Sequence, residues 1–421
     1  MKYSIIDALR VRSFASLLSA ELFTQLGANI FNFYLVLVVF SLTRSNTAVA
    51  AIVLSFTIPA ILFGIPAGVY VDRWNKKHVL FVSNLLRVFL LIVLAFFHQN
   101  LVLIFIVSFL ISVLTQFFIP AESPIIPQII PKKLLLSANA LFGLGIYGSM
   151  LIAFILSGPI LIYLGQARTL LLLAVLFLIS CFFIWLIKIP KKYEHKHTKG
   201  KKVTYAMMTE LRSVLTLLSN TKEVHHALFL LALSQVLILI IATIAPGYAS
   251  QVLKVKVENF PLLFVAPAAF GIFLGAILVS LLGKVKKDTI ITAGLFLSAV
   301  AMLILPYGSK IAARDIVQTI NQSLPNLLHI TAYHLVTVIA FLLGFANAFV
   351  FVPANTILQE KTSDEVRGKV YGVLNTIVGI FSLLPLLVVG GLSDLLGVSA
   401  VIIGIGIALF ILGLLRAFSK I

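Results

Sequence analysis

Long unbroken apolar runs recur along this chain, separated by short polar stretches. They fall at 14–40, 47–71, 79–97, 101–119, 137–164, 169–188, 226–249, 261–283, 289–307, 333–357, 371–393 and 398–415. A helix needs about 20 apolar residues to cross the hydrocarbon of a bilayer, and these runs have that length. Polar and apolar positions do not alternate with the period of two that a barrel strand requires. In lipid every backbone N–H and C=O must be paired internally, so continuous runs of this length predict helices. The pattern therefore predicts an all-α membrane protein of twelve spans. Arg10 and Arg12 precede the first run, which is too long for the apolar part of a cleaved signal peptide and has no small-residue cleavage site behind it. It is expected to be a retained span.

Composition agrees with this reading. Of 421 residues 61% are hydrophobic and 11% charged, with a mean hydropathy of +1.12. A soluble domain carries roughly a quarter charged residues, and no water-soluble fold of this size hides so much apolar surface. The single cysteine, Cys181, excludes an internal disulfide and a cysteine-based metal site.

A net charge of +18 in a soluble protein would suggest nucleic acid. Here the distribution of the charges explains it instead. With twelve spans, the side carrying the N-terminus holds 25 Lys and Arg and the opposite side six, while Arg87 lies inside a span. That asymmetry places both termini in the cytoplasm of a cell (inner) membrane by the positive-inside rule.

Three segments organise the chain: an N-terminal six-helix bundle at 1–189, a cytoplasmic linker at 190–225, and a C-terminal six-helix bundle at 226–421. In the linker Met207, Leu211, Val214, Leu215 and Leu218 recur at helical spacing opposite Glu210, Arg212 and Ser213. This spacing predicts an amphipathic helix lying in the membrane interface. His195 and His197 stand i,i+2 in a basic stretch and are expected to be solvated. The loop at 308–332 is the one sizeable external connection.

The halves repeat. Phe118-Ile119-Pro120-Ala121-Glu122-Ser123 ends the fourth run, and Phe351-Val352-Pro353-Ala354-Asn355-Thr356 ends the tenth. Repeated halves are the usual organisation of secondary transporters, whose sites lie near the midplane where the repeats meet.

Between runs two and three stands Gly68-Val69-Tyr70-Val71-Asp72-Arg73-Trp74-Asn75-Lys76-Lys77. It resembles the signature loop of the major facilitator superfamily, G-x-x-x-D-R-x-G-[RK]-[RK], with Asn75 in place of the last glycine. Asn tolerates the left-handed conformation better than most residues, so the departure is mild. The resemblance implies that fold, with twelve transmembrane helices in two six-helix halves. It also implies a latch: Asp72 stabilises the positive end of a helix in the other half, near Lys369 to Gly372. Arg73, Lys76 and Lys77 would bind carboxylates or anionic headgroups, or simply fix topology. The residues Pro120-Ala121, Pro127, Pro131 and Ala138-Asn139-Ala140-Leu141, with Glu365-Val366-Arg367-Gly368-Lys369-Val370-Tyr371-Gly372, resemble the macrolide-efflux-like and enterobactin-exporter-like branch. Ser157-Gly158-Pro159 matches only a fragment of that superfamily's antiporter motif, because Leu161 and Ile162 replace its final glycines.

The most informative polar pattern lies in the first run. Glu21, Gln25, Asn29 and Asn32 stand at i, i+4, i+8 and i+11, within about 80° of one helical face. Lipid does not tolerate such a stripe, so it faces a water-filled cavity or other helices. Glu21 is the candidate proton carrier. Gln116, Gln235, Asn347 and Asn375 are candidate cavity amides, or interhelical hydrogen-bonding groups. Glu122 is read as a gate ion-pair partner, for Arg73 among others, or as an interfacial charge. Arg87 is expected to snorkel to the cytoplasmic interface or to pair with a carboxylate, and Arg367 is a further candidate gate cation. The ladders Ala60-xxx-Gly64-xxx-Gly68, Gly145-xxx-Ser149-xxx-Ala153-xxx-Ser157 and Gly271-xxx-Gly275 permit close helix approach.

No nucleotide-binding loop and no metal-spaced histidine cluster is present. No enzyme activity, cofactor or metal is expected, and energy comes from an ion gradient or from the substrate's own gradient. The expectation is a monomeric, proton-coupled exporter of small amphiphilic or hydrophobic compounds. The alternatives are a lysophospholipid or lipid transporter, and a transport-inactive membrane sensor or scaffold.

Overall fold

A computed structural model describes residues 5–190, 222–282, 285–308, 331–362 and 364–418. Each expected run is helical. The spans are α1 (Arg12–Thr43), α2 (Asn46–Val71), α3 (Lys76–Phe96) and α4 (Leu101–Glu122). The stretch Leu135–Leu186 contains α5 (135–164) and α6 (166–186). There follow α7 (Lys222–Gly247), α8 (Ala266–Leu281), α9 (Lys287–Ile304), α10 (Ala332–Glu360), α11 (Asp364–Leu396) and α12 (Val398–Phe418).

Among the described residues, 11 helical stretches are long and apolar enough to cross a membrane. The longest is two helices joined at Gly165, whose φ of 73° and ψ of 178° no side chain adopts without strain. The described residues therefore hold twelve spans, and the sequence-based fold class is borne out. Apolar side chains such as Phe89, Phe96 and Trp185 point outward, as expected where the solvent is lipid. The linker helix at 207–218, the histidines at 195 and 197 and most of the loop at 308–332 lie outside the described residues.

Helix starts follow local chemistry. Asn75 has φ −67° and ψ 110° and caps α3, its side chain accepting from the His78 N–H at 3.2 Å. The signature-loop position therefore needs no left-handed conformation here. Asn stands there as a cap, a role at which it is among the strongest residues. Asn100 caps α4 in the same way, accepting from Leu103 at 3.0 Å. Pro120 does not end α4 as the apolar pattern suggests. The helix continues to Glu122 and passes through a 3-10 turn, Ser123–Ile125, into one more turn, Ile126–Ile129.

The chain forms two compact units. The first comprises Met1–Val38 and Ile52–Leu215, the second Val39–Ala51 and Thr216–Ile421. In the first unit, Phe14, Leu17, Leu80, Phe118, Ile125 and Ile184 belong to an apolar cluster that packs α1, α3, α4 and α6 together. In the second unit, α8 and α10 pack backbone to backbone. A Cβ on Gly271 would stand 2.1 Å from the Phe341 carbonyl oxygen, and one on Gly344 would stand 1.8 Å from that of Ala268. The small-residue ladder of α8 thus serves packing within its own unit.

Asp394, near the end of α11, lies against the start of α2. Its carboxylate accepts from the Asn46 N–H (2.7 Å), the Thr47 N–H (3.0 Å) and the hydroxyls of Ser45 (2.7 Å) and Thr47 (2.8 Å). The first N–H groups of α2 are thereby satisfied from another helix.

Candidate functional site: a buried charge cluster in the first unit

The polar stripe of α1 is a chain of hydrogen bonds. Asn29 donates from Nδ2 to the Gln25 carbonyl oxygen at 2.8 Å and to Gln25 Oε1 at 3.3 Å. Gln25 donates in turn from Nε2 to Glu21 Oε1 at 2.8 Å. The spacing of four residues stacks each side chain over the last, which makes the relay possible. Glu21 is fully buried, Gln25 and Asn29 are half-buried, and Asn32 is exposed.

Glu21 meets a second carboxyl. Glu122, on the part of α4 that continues past Pro120, is 6% exposed and faces Glu21 and Arg87. Glu21 Oε2 and Glu122 Oε1 are buried and have no hydrogen-bond partner. Among the described residues the charged groups that Glu122 faces are Glu21 and Arg87, while Arg73 is exposed just past the end of α2.

Arg87 does not snorkel: it is 1% exposed, and among the described residues the carboxylates that face it, Glu21 and Glu122, act on it without a direct ion pair. Nη1 donates to Asn84 Oδ1 at 2.7 Å and Nη2 to Thr115 Oγ1 at 2.9 Å. The Phe118 and Phe177 rings flank the guanidinium, with centroids at 5.0 Å and 5.3 Å. Asn84 is held in turn by Thr24 (2.9 Å) and Ser180 (2.8 Å), which bond each other at 2.8 Å. Ser180 closes the network on the Ala20 carbonyl oxygen at 2.8 Å. Neutral oxygens thus anchor the cation, and its charge acts on Glu21 and Glu122 through space. Sequence reasoning missed Asn84, Thr24, Thr115 and Ser180. The one signal was the Asn84–Arg87 spacing of three on a helix face.

The other expected residues are dispersed. Asp72 is exposed and Gly68 half-buried, its carbonyl accepting from the Asp72 N–H at 3.1 Å. Lys77 donates to the Trp185 and Ile187 carbonyls at 2.8 Å and 2.6 Å. It therefore caps the last turn of α6, where a cation offsets the negative end of the helix. Lys76 is half-buried beside it in sequence. Gln116 is half-buried near Gly64. In the second unit Asn347 donates to the Ser234 carbonyl at 3.4 Å, next to half-buried Gln235. The side chains of Arg367 and Asn375 lie outside those described.

Twelve apolar helices with a titratable cluster buried inside one bundle define a class, the polytopic secondary transporters. The profile of the Major Facilitator Superfamily matches residues 17–384, and the chain belongs to that family. It is a multi-pass membrane transporter, not an enzyme. The uncharacterized MFS-type transporter YkuC of Bacillus subtilis (strain 168) is 30% identical over 202 residues, a match spanning 44% of each chain. The uncharacterized MFS-type transporter YfmI of the same organism is 22% identical over 412 residues, 95% of this chain and 94% of that one. Among solved structures, the nucleoside transporter NupG superposes with a TM-score of 0.70 at 13% identity, covering 96% of this chain and 100% of its own. A POT family transporter in complex with 5-aminolevulinic acid gives 0.72 at 12% identity, over 96% and 95%. These likenesses establish the fold.

Proposed function

We propose that this transporter is proton-coupled and exports small amphiphilic or hydrophobic compounds across the cell (inner) membrane by alternating access, with both termini in the cytoplasm. The carrying observation is the buried Glu21–Glu122 carboxyl pair beside Arg87. Ionisable groups inside a membrane are costly, and in transporters they mark proton relays. The relay through Gln25 and Asn29 gives the pair a polar route along α1. Export rests on the resemblance of residues 118–141 and 365–372 to the macrolide-efflux-like branch.

An apolar cargo is favoured by a cavity of about 280 Å³ in the second unit, lined by Leu228, Phe229, Val236, Ile377, Phe381 and Pro385 among others. The same walls suit a single acyl chain, so a lysophospholipid is the second reading. Asp72 retains the latch role that the signature loop implies.

The test is an assay in vesicles that enclose a pH-sensitive dye, with candidate compounds added across an imposed proton gradient. Proton movement on addition of an amphiphilic compound is expected. Proton movement with lysolipid alone would favour the second reading. Cargo movement indifferent to the gradient would overturn coupling.

A further inference from the structure

Two carboxyls and one guanidinium share a space from which water and lipid headgroups are excluded. Glu21 is 0% exposed, Arg87 1% and Glu122 6%. If both carboxyls ionise, the cluster carries one uncompensated negative charge, which is costly away from water. One proton on the pair makes the cluster neutral. A second proton would leave Arg87 as an uncompensated cation, which is costly for the same reason.

We propose that Glu21 and Glu122 together hold a single exchangeable proton, and that Arg87 sets this number as a fixed counter-charge. Its role in transport rests on the proton-coupled reading above; the count itself is independent of any cargo.

Arg87 suits this task because its anchors do not titrate. Both terminal nitrogens donate to neutral oxygens, of Asn84 and Thr115, and two aromatic faces flank the guanidinium. The cation stays where it is whether or not the pair is protonated, and an arginine keeps its charge. The titratable groups facing Arg87 are Glu21 on α1, Glu122 on α4 and Cys181 on α6. Cys181 is buried and its thiol contacts the Phe81 carbonyl oxygen at 3.7 Å, so as a neutral thiol it leaves the balance unchanged. Glu21 Oε2 and Glu122 Oε1 are buried without a hydrogen-bond partner, so each carboxyl offers an oxygen on which the proton can sit. On release it leaves as hydronium to whichever side water enters from, and the carboxylate it leaves behind needs that water. The deprotonated cluster is thus stable only when open to solvent.

The repeat supports confinement of the site to the first unit. Where α4 carries Pro120-Ala121-Glu122, α10 carries Pro353-Ala354-Asn355, an amide that binds no proton in this range.

The test counts protons by infrared spectroscopy of the full-length protein in lipid, in light and heavy water across a pH titration. Wild type is expected to show one buried carboxylic acid C=O band, isotope-shifted and lost in E21Q and in E122Q. R87M is expected to double that band, as the pair takes a second proton in place of the lost cation, while R87K restores a single one. Two protonated carboxyls in wild type, none, or a band unchanged in R87M would overturn the proposal. If R87M does not fold, the wild-type count and its loss in the two glutamine variants decide alone. One proton on the pair of a carrier indifferent to pH gradients would defeat the coupling reading and leave the count standing. Two protons on the pair of a coupled carrier would do the reverse.

Discussion

Asp394 holds Thr47 by two hydrogen bonds at once, one from its N–H at 3.0 Å and one from its hydroxyl at 2.8 Å. Asn46 adds its own N–H at 2.7 Å and its side-chain amide at 2.9 Å. A carboxylate at a helix N-terminus satisfies orphan donors and complements the helix dipole. Asp394→Ala is expected to lower stability by about 1–2 kcal/mol, and Asp394→Asn by less. Thermal unfolding of the purified protein in detergent checks both.

Arg87 offers a second measurement. Without the cation the pair must take up a second proton on folding or keep an uncompensated charge, and breaking such a buried cluster costs about 3–5 kcal/mol. Arg87→Met is therefore expected to unfold at lower temperature than wild type at neutral pH. The extra proton taken up on folding costs less as pH falls, so the deficit should shrink in acid. A deficit independent of pH would mean that lost packing against Phe118 and Phe177, not charge, is responsible.

Glycine substitutions separate packing from motif. Gly344→Ala places a methyl against the Ala268 carbonyl, a backbone atom that cannot move alone, and Gly68→Ala meets nothing within 4 Å. The first is expected to destabilise by about 1–3 kcal/mol through forced separation of α8 and α10. The second should leave unfolding unchanged, whatever it does to transport. Expression and thermal unfolding of the pair give the comparison.

The cap of α3 gives a fourth test. Asn75→Ala should cost about 1 kcal/mol and Asn75→Gly only a few tenths, even though glycine is the residue of the superfamily's loop. Equal losses in the two variants would show that the Asn75–His78 bond contributes nothing.

How much of this was legible in the sequence follows from the physics of each element. Apolar run length determines a span because the bilayer demands it, so all twelve helices and the break near Gly165 were readable. The α1 stripe was readable because residues at intervals of four share a face. Arg87 was not: a lone cation two turns into a span reads as a snorkelling group unless its partners are known. Its partners Asn84 and Thr115, and the Thr24 and Ser180 hydroxyls that hold Asn84, are single polar groups in apolar runs, brought together only by packing of α1, α3, α4 and α6. Glu122 reads as an interfacial group because the apolar run of the fourth span ends at 119, just before it. In lipid a proline is tolerated inside a helix when neighbouring groups satisfy the freed carbonyl, and α4 runs on to bury the carboxyl. Asp394 went unnoticed for a related reason, since nothing local marks an acid as the cap of a distant helix.

The central claim is that the carboxyl pair carries the coupling proton. Its most direct test compares two modes of transport by Glu21→Gln in proteoliposomes, with a cargo identified in the pH-dye screen. Exchange of labelled for unlabelled cargo at equal pH needs no net proton movement and should survive. Accumulation driven by a proton gradient should be lost. Gradient-driven accumulation at the wild-type level in that variant would contradict the account.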